Sequence, residues 1–309
     1  MAAKRQFNDV SNKRLDKAIA GLPGLAQSLS DQNLNLRNIQ DIHVFGYGSL
    51  PDQPHYMPDQ IEEAYLWGYS RDMVCKSVRS GTKQFTGLTL GLDENPDGIV
   101  SGAIMTYSHA NDLELCEMLE ALAKREVVTE LPIYTFRMLE IEKEDGKKAM
   151  AIVCVADPNG PGYFGDGLSP AEKARLSPDQ QQDLSRRKKA YKIAEANGQS
   201  RKSGKYMTCK SYFDRFVRIS IQLNPVKADA DALKGLSPLR KKRTLAMAKE
   251  QERLMELAHE IRQYRASLSK IDPAKYAMLI SIEKDQLQNW KKKKAHAAKR
   301  RKPTLGPKP

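Results

Sequence analysis

Val44-Phe45-Gly46-Tyr47-Gly48-Ser49-Leu50 is an apolar strand that runs straight into a turn built on two glycines. Glycine lets a backbone turn sharply and approach a ligand closely, so successive N–H groups can face one carboxylate or carbonyl oxygen. Taken alone the pattern is weak, because many strands end in G-x-G without binding anything. Its value depends on what surrounds it.

Outward from this stretch, short apolar runs are broken by Gly, Asp, Asn and Pro, which predicts strands over 42–45, 65–74, 87–92, 99–107, 133–141 and 150–156. One helix interrupts them over 111–125, with Leu115, Met118, Leu119 and Leu122 at helical spacing and Asn111 or Asp112 as its cap. Strands around a single helix predict an α+β domain with a strongly curved or closed sheet. Two further helices are expected. One spans 170–196, with Ser169 as cap, Pro170 in the first turn and Gly198 past its end; the other runs from Lys205 to about Ile221.

The flanks differ from this core. Residues 1–40 read as a polar arm, with Leu15, Ile19, Leu22 and Leu25 on one short helical face interrupted by Pro23 and Gly24. Beyond Pro238 a helical hairpin is predicted. Met247, Leu254, Ile261 and Leu268 recur every seven residues with Leu257 and Tyr264 between them, and Asp272-Pro273 restarts a helix carrying Tyr276, Leu279, Ile280, Leu287 and Trp290. Packing of these helices on each other or on the core is the simpler expectation, and a partner interface the sharper one. The division is thus an arm over 1–40, a main domain over 41–225 and a helical extension over 226–309.

Charge separates the same parts. The 309 residues carry a formal net charge of +13, and the arm holds six basic and three acidic side chains. Residues 41–225 sum to −3, whereas 226–309, with 22 basic and nine acidic residues, supply +13. The last stretch, from Lys291, has no acidic residue and is expected to stay solvated or to meet an anionic surface. Cys75, Cys116, Cys154 and Cys209 form no C-x-x-C pair, so reduced thiols are expected, and no metal is assigned because the five histidines lack ligand spacing. No apolar run reaches the length of a membrane span and the first residues, MAAKRQF, lack a signal-peptide stretch, so a cytoplasmic location is expected.

The 44–50 stretch resembles the entry motif of the ChaC family of glutathione-directed γ-glutamylcyclotransferases, and the resemblance continues in register. Gly68-Tyr69-Ser70-Arg71, Ser77, Arg79-Ser80-Gly81 and Gly87-Leu88-Thr89-Leu90-Gly91-Leu92-Asp93 resemble its second and third strands with the loop between them. Leu122, Arg125-Glu126-Val127-Val128-Thr129 and Tyr134 resemble the helix end where an Arg-Glu pair carries the catalytic carboxylate. Ala156-Asp157-Pro158-Asn159 with Tyr163 and Gly165, then Ser203-Gly204-Lys205-Tyr206, resemble its late strand and last helix start. The resemblance implies a γ-glutamylcyclotransferase-like curved or barrel-like mixed sheet with flanking helices, to which this chain adds a basic C-terminal helical extension. It makes 41–225 the catalytic domain and the substrate a γ-glutamyl compound, glutathione first, released as 5-oxoproline and Cys-Gly. Val44, Phe45, Gly46, Tyr47, Gly48, Ser49 and Leu50 become the expected substrate-binding set and Glu126 the catalytic residue; Glu117, Ser77, Arg125 and Tyr206 are weaker candidates.

The chemistry asks for the same parts. In γ-glutamyl cyclisation the substrate's own α-amine attacks its γ-carbonyl, so no cofactor and no enzyme nucleophile is required. The amine must lose a proton and the departing nitrogen must gain one, and one carboxylate can do both in turn. The γ-oxyanion needs fixed donors, which the amides of Tyr47–Leu50 are suited to supply. Against this, a helix-terminal Glu126 can simply pair with Arg125 or Lys124. Glu117, nine residues earlier, falls on the opposite face of a continuous helix.

The chain also departs from the family. Pro51-Asp52-Gln53-Pro54 follow Leu50 where the family has an apolar residue and Trp, and Thr129-Glu130-Leu131-Pro132-Ile133 precede Tyr134 where the family carries a Gly. Both changes border the pocket on its acceptor side. The alternatives are therefore a γ-glutamylamine cyclotransferase, or an inactive fold whose tail, Lys291–Lys294 and Lys299–Lys302 with Trp290, binds nucleic acid or another anionic surface.

Overall fold

The structure, a computed structural model, describes residues 12–281 except 52, 53, 55, 79, 82–85, 110, 128–130, 197, 198, 201–204, 207, 208, 219 and 221–224, together with 284 and 288. Five strands form a closed barrel in the order β1-β3-β2-β4-β5: β1 Asp41–Gly46, β2 Gln60–Ser77, β3 Gly87–Ser108, β4 Tyr134–Lys143 and β5 Lys148–Ala156. All pairings are antiparallel except the closing seam, where Val44 and Phe45 of β1 run parallel to Ile152 and Val153 of β5. One apolar cluster draws on all five strands and fills the barrel, with Phe45, Leu66, Leu92, Val100, Ile104, Ile141 and Val153 among its members. The expected α+β class with a closed sheet is what the chain adopts.

The strand read as two runs, 87–92 and 99–107, is one continuous β3. Asn95-Pro96-Asp97-Gly98 bulge opposite Gly68, where the pairing jumps from Trp67↔Ile99 to Tyr69↔Glu94. Gly68 has φ +80°, and a Cβ on Gly98 would lie 2.2 Å from the Tyr69 carbonyl oxygen, so both glycines are required for the bend. Turn-forming residues here kink a strand without ending it.

Outside the barrel, the helical residues 12–20 (α1), α2 Leu25–Asp31 and α3 Asp112–Glu126 share one core. Asn111 caps α3 by accepting from the amides of Leu113 and Glu114. The segment read as a polar arm contributes Leu15, Leu22, Leu25, Leu29 and Leu36 to that core, all buried. It also completes the sheet. β4 pairs with β2 only near Lys143, and the opened stretch of β4 is met by Pro23, whose carbonyl accepts from Phe136 N at 2.7 Å, and by Ser28, whose Oγ accepts from Met138 N at 2.8 Å.

The opposite side carries α5 Pro178–Glu195, α6 Cys209–Val217 and α8 Pro238–Ile271, packed over Met73, Leu88 and Leu90. Between them are a short helix Ala230–Leu233 (α7) and the two-residue strands β6 Gln199–Ser200 and β7 Lys205–Tyr206. The helix predicted over 170–196 is two: α4 Pro170–Arg175, capped by Ser169 and Glu172, and α5, capped by Ser177 and Gln180. Ser177-Pro178 repeats the start signal of Ser169-Pro170 and breaks the run. The helix expected from Lys205 begins at Cys209, after β7. In the extension, α8 lays Leu254, Leu257, Ile261 and Leu268 on the body, and the helical residues 273–281 follow, with Leu279 buried. Leu287, Trp290 and the basic tail lie outside the described residues. Among the described residues no helix is long and apolar enough to cross a membrane.

Candidate active site

β1 ends at Gly46, and the chain turns there because that residue has no side chain. A Cβ on Gly46 would lie 2.7 Å from the ring of Pro51 and 3.1 Å from Met105, so Pro51 folds back over it. Neither Gly46 nor Gly48 is left-handed; the first is needed for close packing. Among the described residues a Cβ on Gly48 would meet only Leu90, at 3.9 Å, so none of them fills the space that this glycine leaves. Val44 and Phe45 are buried, their backbones held in the β1–β3 and β1–β5 ladders, whereas Tyr47 and Leu50 are half-buried and Gly48 and Ser49 are exposed. Of the seven residues expected to bind substrate, the last four reach the surface.

Glu126 is the last residue of α3, and its neighbour ties it to the turn. Arg125 donates from Nε to Glu126 Oε1 at 2.7 Å and from Nη2 to Ser49 Oγ at 3.1 Å. The pairing that a structural reading allows is therefore present, but it draws in the glycine turn as well. The side chains are 11% and 21% exposed, which places the pair at a boundary where a carboxylate keeps access to small molecules. Among the described residues, Oε2 of Glu126 accepts no hydrogen bond.

Arg125 apart, the titratable groups that feel this carboxylate keep their protons. Burial pushes the phenols of Tyr47 and Tyr134 and the thiol of Cys154 well above their ordinary values, and raises the Tyr212 phenol; the charge of Glu126 adds to the shift at Tyr47, Cys154 and Tyr212. Glu126 thus lies within electrostatic reach of the barrel end, of β5 and of α6 at once. Tyr134 Oη donates to the Leu90 carbonyl at 2.5 Å, which fixes its ring beside Tyr47. Arg125 apart, a neutral surround with one carboxylate in it is suited to proton transfer.

The weaker candidates fall elsewhere. Glu117 is exposed on α3, near enough to Tyr56 to help raise its phenol. Ser77 is buried at the end of β2, where its Oγ accepts from Ser80 N at 3.0 Å and closes that loop. Tyr206 lies in β7, and its side chain is outside the described residues. Sequence reasoning gave no notice of Tyr212 and Cys154, the groups of α6 and β5 within electrostatic reach of Glu126, because that proximity is made by the fold and not by local spacing. Arg71, which enters the sequence reading only within the second-strand resemblance and with no site role, donates from Nη1 to the Tyr47 carbonyl at 2.7 Å. Cavities of about 280 and 700 Å³ lie beside α5, lined by Asp72, Lys189 and Arg253 in one and by Phe164, Tyr191 and Lys192 in the other, and neither includes the turn or Glu126.

Comparison with known proteins places this arrangement. The family model described as ChaC-like protein matches residues 42–211, from β1 into α6. Among solved structures, the γ-glutamyl cyclotransferase specific to glutathione from yeast is similar at 16% identity, covering 70% of this chain and 97% of that one with a TM-score of 0.43. YkqA from Bacillus subtilis is similar at 18% identity over 49% of this chain and 55% of its own, with a TM-score of 0.31. No curated protein matches the sequence. The matched segment holds the glycine turn, the Arg125-Glu126 pair and every barrel strand, and the chain belongs to the ChaC-like family.

Proposed function

We propose that the protein cyclises the γ-glutamyl group of glutathione, releasing 5-oxoproline and Cys-Gly, with Glu126 as the proton shuttle. The observation that carries this reading is the Arg125 bridge, which holds the Glu126 carboxylate and the Ser49 hydroxyl of the glycine turn on one guanidinium. Glu126 takes a proton from the substrate's α-ammonium, and the freed amine nitrogen bonds to the γ-carbonyl carbon. The oxyanion formed there is met by amides of the Tyr47–Leu50 turn. As the bond to the cysteinyl nitrogen breaks, that nitrogen takes the proton from Glu126, and the regenerated carboxylate then removes the second proton of the ring nitrogen, leaving the neutral lactam, and passes it to the released amine, which departs as the ammonium. Arg125 orients the carboxylate through one oxygen and leaves the other for the substrate. The open space over Gly48 is where the γ-carbonyl approaches the backbone.

Glutathione is abundant where thiols are kept reduced, and the four cysteines are free and buried here. A cytoplasmic setting is part of the proposal.

The test is Glu126→Gln. An acid/base group of this kind contributes on the order of 10²–10⁴-fold, and 5-oxoproline release from glutathione should fall by about that factor while thermal unfolding is unchanged. A folded variant that keeps a third or more of the wild-type rate overturns the assignment. Competition among glutathione, γ-glutamyl amino acids and γ-glutamylamines then fixes the acceptor side, with glutathione expected to be preferred.

A further inference from the structure

Arg71 stands on β2, only 8% exposed, and its three bonding nitrogens are all committed. Nη1 donates to the carbonyl of Tyr47 at 2.7 Å, while Nε and Nη2 fork onto the two carboxylate oxygens of Glu250 at 2.9 and 3.2 Å. The Glu250 side chain is itself 9% exposed. The guanidinium carbon lies 5.0 Å from the centre of the Phe216 ring on α6, and Arg253, one turn along α8 from Glu250, donates to the Arg71 carbonyl at 2.7 Å. A bidentate arginine–carboxylate pair is geometrically exacting as well as strong. Arg71 therefore has one position, and α8 sets it.

The far end of that relay is a peptide plane. The described residues contain no cis peptide bond, so the Tyr47 carbonyl and the Gly48 N–H point in opposite directions from one rigid unit. Fixing the carbonyl fixes where the N–H aims. A cationic donor on the carbonyl also polarises the amide and strengthens its N–H as a donor. Gly48 is the turn residue whose surroundings the described residues leave open.

We propose that Glu250, acting through Arg71, is a positioning residue for the Gly48 amide, so that helix α8 is part of the active-site frame. α8 begins at Pro238, beyond the 42–211 segment that the family model matches. The chain thus tunes a turn that it shares with the family from a helix outside the matched segment. The catalytic consequence rests on the reading of this turn as the oxyanion site; the mechanical claim does not.

Glu250→Gln keeps the shape and removes the charge that makes the fork. Glu256→Gln is the control for losing a carboxylate from α8, since Glu256 pairs Arg186 of α5 at 2.7 Å at a more exposed position and, among the described residues, has no link to the turn. Amide hydrogen exchange of a peptide spanning 45–50 should quicken at least several-fold in Glu250→Gln and stay at the wild-type rate in Glu256→Gln. With glutathione, kcat should drop about tenfold in Glu250→Gln with KM within about threefold, because an oxyanion donor acts in the transition state. The Arg71→Met and Arg71→Met/Glu250→Gln variants should then lose equally, since the two residues act as one unit. Equal exchange at 45–50 in both glutamine variants, or additive losses in the double variant, overturns the proposal. If the wild type turns over no γ-glutamyl compound, the functional reading fails, and the exchange experiment still decides whether α8 holds the turn.

Discussion

The two segments that flank the barrel grip it by different physics. Residues 12–40 hold on with leucines and with backbone bonds to β4, and an apolar contact of this kind tolerates small shifts. α8 adds to its own leucines a set of buried charges that must sit in register. Arg243 donates to Glu142, which also accepts from Trp67 Nε1 at 2.7 Å, and the Arg243 guanidinium lies 4.2 Å from the centre of the Tyr65 ring. Farther along the same helix Glu250 accepts the fork of Arg71. A buried ion pair adds little net stability over apolar packing, but it penalises misplacement heavily. One flank therefore supplies adhesion, the other alignment, and the aligned flank is the one that reaches the glycine turn.

The largest effect should come from halving a charge pair under α8. Arg243→Met leaves the 8%-exposed Glu142 without its counter-ion and should cost about 3–5 kcal/mol in urea unfolding. Removing both charges with Arg243→Met/Glu142→Leu should recover most of that loss. If the double variant is as unstable as the single, charge is not what that contact supplies. Leu22→Ala on the other flank comes next. Leu22, in the turn between α1 and α2, is 1% exposed, and its truncation should fall within the roughly 2–5 kcal/mol such changes cost. Its hydrogen exchange at 45–50 should match the wild type; a quickened turn would show that adhesion on that side also aligns the site.

A third effect is one of pH. Cys209 on α6, under α8, bonds both backbone groups of Leu88, and burial pushes its thiol up to about 12 from an ordinary 9.0. A raised folded value means that its contribution is complete below pH 9 and is lost as pH climbs from there towards 12, because the unfolded chain gives up the proton first. Unfolding temperature should fall gradually over that window. A flat profile to pH 11 removes Cys209 from the account.

Much of this was legible in the residues. The turn after Phe45, the α3 cap at Asn111 and the Arg125-Glu126 end of that helix lie where local signals put them, because each is decided by neighbours within a few positions. Asn95-Pro96-Asp97-Gly98 misled, since the same residues serve a turn between strands or a bulge within one, and only the partner at Gly68 distinguishes them. The leucines of 12–40 were visible as a helical face, yet whether that face meets water or α3 depends on residues about 100 positions away. Arg71 and Glu250 lie 179 residues apart, and no local pattern announces that one finds the other.

That separation matters to anyone trimming the chain. Cutting it at the end of the family match would keep every strand, the glycines and Glu126, and would look like a complete enzyme on paper. It would also strip Arg71 of its counter-ion while the guanidinium still leaned on the Tyr47 carbonyl. A sluggish truncated protein would then report on the scissors and not on the catalyst.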